Sequence, residues 1–290
     1  MYNRKIIESI SRLFLYILLI YSIIFLIGGI LNIIFRLILN EIIKYPYLYT
    51  KFIDSVCILI TSLILFKITK KYFYNKINIK AHNPKLFIKS FTIVSLLLLF
   101  VFLISYFFGS ATIHGIPIIS TTNISIIKSI VITGLTGSLL ISISEEIIFR
   151  GLLFNYTLKI SKNIFLSVIV CSLIFALGHT SYHSIVNYLI AFLGGISMSI
   201  AYILYNNLFY PIGIHFSYNL FNFFFTNNEP NKHIFRPLYI TYNKFHGIYI
   251  IDIFIILFFI SFNIFLLSKY LKIKRGCLSH GEALISQGNY

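Results

Sequence analysis

Charge is what this sequence has least of. Only 11% of its 290 residues are Asp, Glu, Lys or Arg, against roughly 25% in an average soluble domain, and 58% are hydrophobic. That balance excludes a water-soluble globule. Acidic residues are rarer still, 8 against 24 Lys and Arg, giving a formal charge of +16. The basic residues are spread over polar joints and tails and form no interleaved basic and aromatic surface, so nucleic acid is not an expected partner. Cysteine is scarce too. Cys57, Cys171 and Cys277 are too few and too scattered for a disulfide framework or a zinc spacing, and read as small apolar fillers plus one exposed thiol. No small-residue cleavage site follows the first apolar run, which begins after Arg4, Lys5 and Arg12, so the run reads as a retained span. No internal repeat is visible, which counts against a transporter fold.

In place of charge there are apolar blocks. A helix needs about 20 apolar residues to cross a hydrocarbon core of about 30 Å. Eight segments approach or meet that: residues 13–35, 48–66, 86–108, 124–158, 164–177, 184–205, 208–225 and 248–267. The expectation is an all-α polytopic membrane protein with about eight transmembrane helices, forming one integral membrane domain over residues 1–267. Residues 268–290 read as a basic cytosolic tail. Heavy use of Ile, Asn, Lys, Tyr and Phe is what an A/T-rich coding sequence yields, and points to a bacterial cell membrane.

Orientation follows from the joints that hold Lys and Arg. The joint after the second segment carries Lys67, Lys70, Lys71, Lys76, Lys80 and Lys85, whereas residues 109–123 carry none. With eight crossings, placing the basic joint in the cytosol also puts both termini there. Cysteines introduced near Ile77 should therefore be protected from an impermeant label in intact cells, and cysteines near Ser120 should react. The reverse labelling pattern would refute this orientation.

Ionisable groups at membrane depth are costly and usually face the bundle interior. Here they are Asp54, Lys128, Glu145, Glu146, Arg150 and Asp252, with His179 and His215 as polar companions. Asp54 and Asp252 lie within a turn or two of their span ends and Lys128 can snorkel, so these three read as interfacial or packing residues. The segment 144–151 is different, because it sets three charges into an apolar run. Glu146 and Arg150 are i and i+4 with the acid first, the favourable order for a pair. Glu145 is turned about 100° away and is the carboxylate left for chemistry.

Depth brings other groups to the same layer. At about 1.5 Å of rise per residue, Glu145 and His179 lie about 21 and 25 Å from the joint between their helices, and come level in a hairpin. His215 and Asn219 are i and i+4, about 12 and 18 Å beyond Asn207. A lone membrane histidine is often only a helix-to-helix hydrogen bond, but two of them at the depth of an unpaired glutamate suggest a shared polar site. A buried carboxylate beside an imidazole can orient and deprotonate a water. A second imidazole and an amide on one helix face offer two donors for a developing oxyanion. These are the groups that peptide-bond hydrolysis requires. Ser142, Ser144 and Cys171 lie nearby, but no covalent nucleophile is needed.

At these residues the sequence resembles the intramembrane glutamate proteases of the CAAX protease and bacteriocin-processing (CPBP, or Abi) family, which includes the type II CAAX prenyl endopeptidases. Glu145-Glu146-Ile147-Ile148-Phe149-Arg150 matches its EExxxR motif, Phe175-Ala176-Leu177-Gly178-His179 its FxxxH, and His215-Phe216-Ser217-Tyr218-Asn219 its HxxxN. The intervening Phe192-Leu193-Gly194-Gly195 and Asn207-Leu208-Phe209-Tyr210-Pro211 also look right. The likeness covers residues 133–225, the expected catalytic core. It implies an eight-helix fold around a polar intramembrane cavity, in which Glu145 and His179 activate water, His215 and Asn219 stabilise the oxyanion, and Glu146 and Arg150 support the site. It also implies a membrane-associated protein or small peptide as substrate, from prenylated termini to bacteriocin-related peptides.

Two other readings stand beside this one. A carboxylate with two imidazoles can bind zinc. There is no HExxH and no i, i+4 histidine pair, so no cofactor is expected and zinc is the minority alternative, which activity surviving a strong chelator would oppose. The second is a non-catalytic immunity or scaffold protein that binds a peptide or partner in the same cavity.

Overall fold

A computed structural model of the chain describes residues 12, 15–20, 22–42, 46–73, 83–115, 127–128, 130–179, 184–225, 238–245 and 248–279. Helix dominates. After a widened π turn at Ile24–Gly28 come α1 (Gly29–Ile42), α2 (Pro46–Phe73), α3 (Pro84–Phe107), the long rod α4 (Ile130–Ser161), α5 (Ile164–Leu177), α6 (Ile185–Tyr205), α7 (Phe209–Phe225) and α8 (Ile250–Ser279). The rod α4 alternates in width: π-helical over Ile130–Gly137, α-helical over Ser138–Glu146, π-helical again over Ile147–Phe154, and α-helical to its end.

The polar residues between apolar runs act as punctuation. Pro84 opens α3, where its missing N–H has no intrahelical partner to lose. Lys162 takes a left-handed conformation (φ 51°) to stop α4, and the Asn163 side chain then accepts the Leu166 N–H at 3.1 Å to cap α5. Ser184 caps α6 through the Val186 N–H at 3.2 Å. Asn206 (φ 44°) ends α6, and Asn207 accepts the Phe209 N–H at 2.7 Å at the start of α7.

The expectation of about eight spanning helices is met in part. Among the described residues four helices, α3, α4, α6 and α8, are long and apolar enough to cross a membrane by length and composition. Helices α5 (14 residues) and α7 (17 residues) rise only about 21 and 26 Å, short of the hydrocarbon thickness. The protein is thus a largely helical integral membrane protein. Helix α8 continues through the basic stretch after Ser268 as far as Ser279. Ile77 and Ser120 lie outside the described residues.

Two close approaches place the helices that carry the polar residues. At Gly213 of α7, a Cβ would meet Ser90 Oγ and come within 2.6 Å of the Phe87 carbonyl of α3, so the absence of a side chain lets the two helices touch. Ser217 Oγ donates to Gly213 O (2.8 Å) and to Phe91 O (3.0 Å) along the same seam. At Gly195 of α6, a Cβ would stand 3.0 Å from Ser172 Cβ on α5. Glycine here trades helix propensity for backbone proximity.

Two small ribbons depart from an all-helical reading. Strand β1 (Ala111–Gly115) pairs antiparallel with β2 (Tyr239–Tyr242), with Ala111 opposite Tyr242 and Ile113 opposite Ile240, and β3 (Lys244–Phe245) pairs with β4 (Ile248–Tyr249). Asn243 reinforces the first ribbon through Ser110 O and Gly109 O, both at 2.9 Å. The Tyr242 hydroxyl donates to Phe225 O, and burial pushes its phenol above the usual range. Because β1 follows α3 and β2 follows α7, those two joints lie at one end of the bundle. An even number of crossings must separate them.

Candidate active site

Helix α4 supplies three charges at the point where it widens. Glu146 is the last residue of the α-helical stretch and Arg150 sits inside the π-helical one, a kind of irregularity that recurs at functional sites. Asn155 braces the widened turn, donating to Arg150 O (2.8 Å) and Gly151 O (3.0 Å) and touching Tyr202 OH (2.9 Å). Arg150 Nη1 donates to Glu146 Oε1 at 2.7 Å, with both side chains 0% exposed. This is the i, i+4 pair that helical spacing anticipates. Arg150 Nη2 reaches across to Gly195 O at 3.0 Å, so the glycine that draws α6 to α5 also presents its carbonyl to the guanidinium.

His215 of α7 stands between the two glutamates. Its Nδ1 lies 2.9 Å from Glu146 Oε1, and its Nε2 lies 3.5 Å from Glu145 Oε2. Sequence reasoning treated Glu146 as consumed by Arg150 and missed that the same oxygen also holds a histidine. A carboxylate oxygen has lone pairs for both. Glu145 is the accessible acid, its side chain 21% exposed against 0% for Glu146, and each glutamate keeps one buried oxygen, Oε2, without a hydrogen-bond partner. An orphaned carboxylate oxygen is expensive unless something binds there.

His179 closes α5. Its Nδ1 lies 2.8 Å from the Phe175 carbonyl; since a carbonyl only accepts, that nitrogen carries the hydrogen, and a neutral ring has Nε2 as its basic atom. Phe175 is the wedge of the cluster. Its ring meets His179 edge-on at 4.7 Å and His215 at 5.6 Å, and the Arg150 guanidinium carbon lies 4.9 Å from its centroid. The two histidines thus share an aromatic neighbour.

Asn219, one turn beyond His215 on α7, donates to Ser142 Oγ at 3.0 Å, and Ser142 donates onward to Ser138 O at 2.7 Å. With the serine hydrogen spent on a carbonyl, the hydroxyl oxygen is free to accept and so fixes the amide. Ser144 donates to Leu140 O (2.6 Å), and the Cys171 thiol, fully buried, to Phe149 O (3.1 Å), arrangements suited to packing and not to nucleophilic attack. Among the described residues no group of three or more His, Cys, Asp or Glu side chains is placed to hold a metal ion. Away from the cluster, Asp54 pairs with Arg36 at 3.2 Å and with Asn32, as an interfacial packing residue would.

Residues 127–221, about a third of the chain, match the family described as type II CAAX prenyl endopeptidase Rce1-like. No curated protein and no solved structure matches the chain significantly. The likeness to the CAAX proteases therefore holds over the stretch that contains all three motifs and every residue of the cluster, and the family it matches is one of membrane proteases.

Proposed function

We propose that the protein is an intramembrane endopeptidase that hydrolyses a peptide bond in a membrane-associated protein or small peptide, using water activated by Glu145 and His179. The observation that carries this is the asymmetry of the two carboxylates. Glu146 is wholly buried, with one oxygen engaged by both Arg150 and His215, whereas Glu145 is partly exposed and forms no pair with the guanidinium. Glu145 removes a proton from water, assisted by His179, and the hydroxide adds to the scissile carbonyl carbon. The C=O electron pair moves onto oxygen, where the second Asn219 amide hydrogen receives it together with Nε2–H of His215 in its imidazolium form, the ring's Nδ1–H being held by Glu146. The proton held at Glu145 then passes to the amide nitrogen, the C–N bond breaks, and acid and amine leave without any covalent enzyme intermediate. Glu146 orients His215 throughout, and Arg150 balances Glu146. On this reading both termini face the cytosol of a bacterial cell.

Donors of this kind act on charge that exists only in the transition state. Removing one typically lowers turnover by about 10² to 10³. Asn219→Ala should do so with KM nearly unchanged, and Ser142→Ala should shift kcat in the same direction by releasing the amide. If Asn219 only joined two helices, its loss would cost about 0.6 kcal/mol of stability and leave turnover near normal. Steady-state kinetics on the purified variants separate the two.

A further inference from the structure

At the end of the bundle where α6 stops and α7 begins, four helices meet around two tyrosines. Gly213 brings the first turns of α7 against those of α3, and α8 passes the end of α6. The Tyr205 and Tyr210 rings stack at 4.0 Å with 12° between their planes. Lys269 of α8 donates from Nζ to Tyr205 OH at 2.7 Å and stands 4.8 Å from the same ring. Lys89 of α3 lies between Phe87 and Ser90, the residues that meet Gly213 one turn beyond Tyr210 on α7. Lys85 lies one turn before Lys89, and Lys272 and Lys274 follow Lys269.

Among the described residues no acid offsets these lysines. Of the 8 acidic residues in the chain, Glu145 and Glu146 belong to the active site and Asp54 pairs with Arg36. Asp252 stands in the first turn of α8, about 25 Å along the helix from Lys269. Glu8, Glu41, Glu229 and Glu282 lie outside the described side chains. Among the described residues no carboxylate forms a salt bridge with Lys85, Lys89, Lys269, Lys272 or Lys274. An ammonium has three N–H donors, and Lys269 directs one of them at Tyr205. Its remaining donors and a tyrosine hydroxyl lie at the end of α6, with Lys89 on the neighbouring first turns of α3, and the ends of membrane helices are where lipid phosphates are met. Tyrosines commonly mark that boundary, and basic pockets between membrane helices take lipid headgroups.

We propose that Lys89, Lys269, Tyr205 and Tyr210 form a binding site for the phosphate of an anionic phospholipid headgroup. The chemistry is that of a phosphate monoanion held by two ammonium groups and a phenol. It stands apart from the proteolytic site and does not depend on it.

The test uses the full-length protein in nanodiscs of mixed phosphatidylglycerol and phosphatidylcholine, with native mass spectrometry counting the lipid retained on release. The parent should retain phosphatidylglycerol in preference to phosphatidylcholine. Lys89→Gln and Lys269→Gln should each weaken that preference about fivefold, and the double variant about 25-fold, as expected for about 1 kcal/mol per lysine at a membrane surface. Lys89→Arg/Lys269→Arg should keep it, and Lys67→Gln, which removes an exposed lysine elsewhere, should leave it unchanged. Should the double glutamine variant not purify, the single variants carry the same reading. Equal retention of the two lipids by the parent, or undiminished preference in the glutamine variants, would overturn the proposal. So would displacement of phosphatidylglycerol by millimolar inorganic phosphate, which would identify free phosphate as the ligand.

Discussion

Glu145→Gln is expected to purify as a folded membrane protein that no longer cleaves peptide bonds. The substitution keeps the volume and one acceptor oxygen while removing the only acid of the cluster that is both reachable and short of a hydrogen bond. Because Glu146, Arg150 and His215 hold one another without it, the fold should be indifferent to the change. Loss of a general base alone typically costs about 10² to 10⁴ in rate. Melting temperature and turnover of the parent and variant, measured in the same detergent, check both halves. Unchanged cleavage by the purified variant would remove Glu145 as the base.

Arg150→Ala should have the largest effect on stability. It strands Glu146 in a site where both side chains are wholly buried, and breaking a buried pair by deleting one partner typically costs about 3 to 5 kcal/mol. It also releases the Gly195 carbonyl from its donor, loosening α6 from α4. A lower yield and a lower melting temperature are the expected results. Adding Glu146→Gln to Arg150→Ala should recover part of the loss, because the stranded charge is gone while an acceptor for His215 Nδ1 remains. A variant as stable as the parent but inactive would place the pair in the chemistry instead.

Much of the cluster was legible because helix spacing is a strong constraint. The i, i+4 separation of Glu146 and Arg150 anticipates their ion pair, and the rise per residue sets Glu145 in one layer with His179, His215 and Asn219, of which His215 is found 3.5 Å from it. Spacing along one helix says nothing of what approaches from another. The contact of His215 with Glu146 and that of Asn219 with Ser142 both cross between helices, and both were missed. Gly195 was visible as part of a glycine pair, but its role as an acceptor for Arg150 depends on a backbone carbonyl that no side-chain pattern marks.

The widening of α4 past Glu146 was equally hidden, since apolar residues such as Ile147 and Leu152 suit an α-turn or a π-turn alike; Asn155, a polar residue five beyond Arg150, was its one available sign. The β1–β2 ribbon joins segments more than a hundred residues apart, and β1 is too short for alternation to register. Hydropathy found where the helices are. Among the described residues four of them are long and apolar enough to cross by length and composition, and apolar composition alone does not distinguish a full span from a 14-residue helix such as α5.

The measurement that bears most directly on intramembrane proteolysis is amino-terminal labelling of the membrane fraction from cells producing either the parent or Glu145→Gln at equal levels. The account predicts new amino termini in a membrane-associated protein or peptide that appear with the parent and vanish with the variant. Identical termini in the two, with the protein's cellular effect intact in both, would contradict it and leave a binding protein in place of a protease.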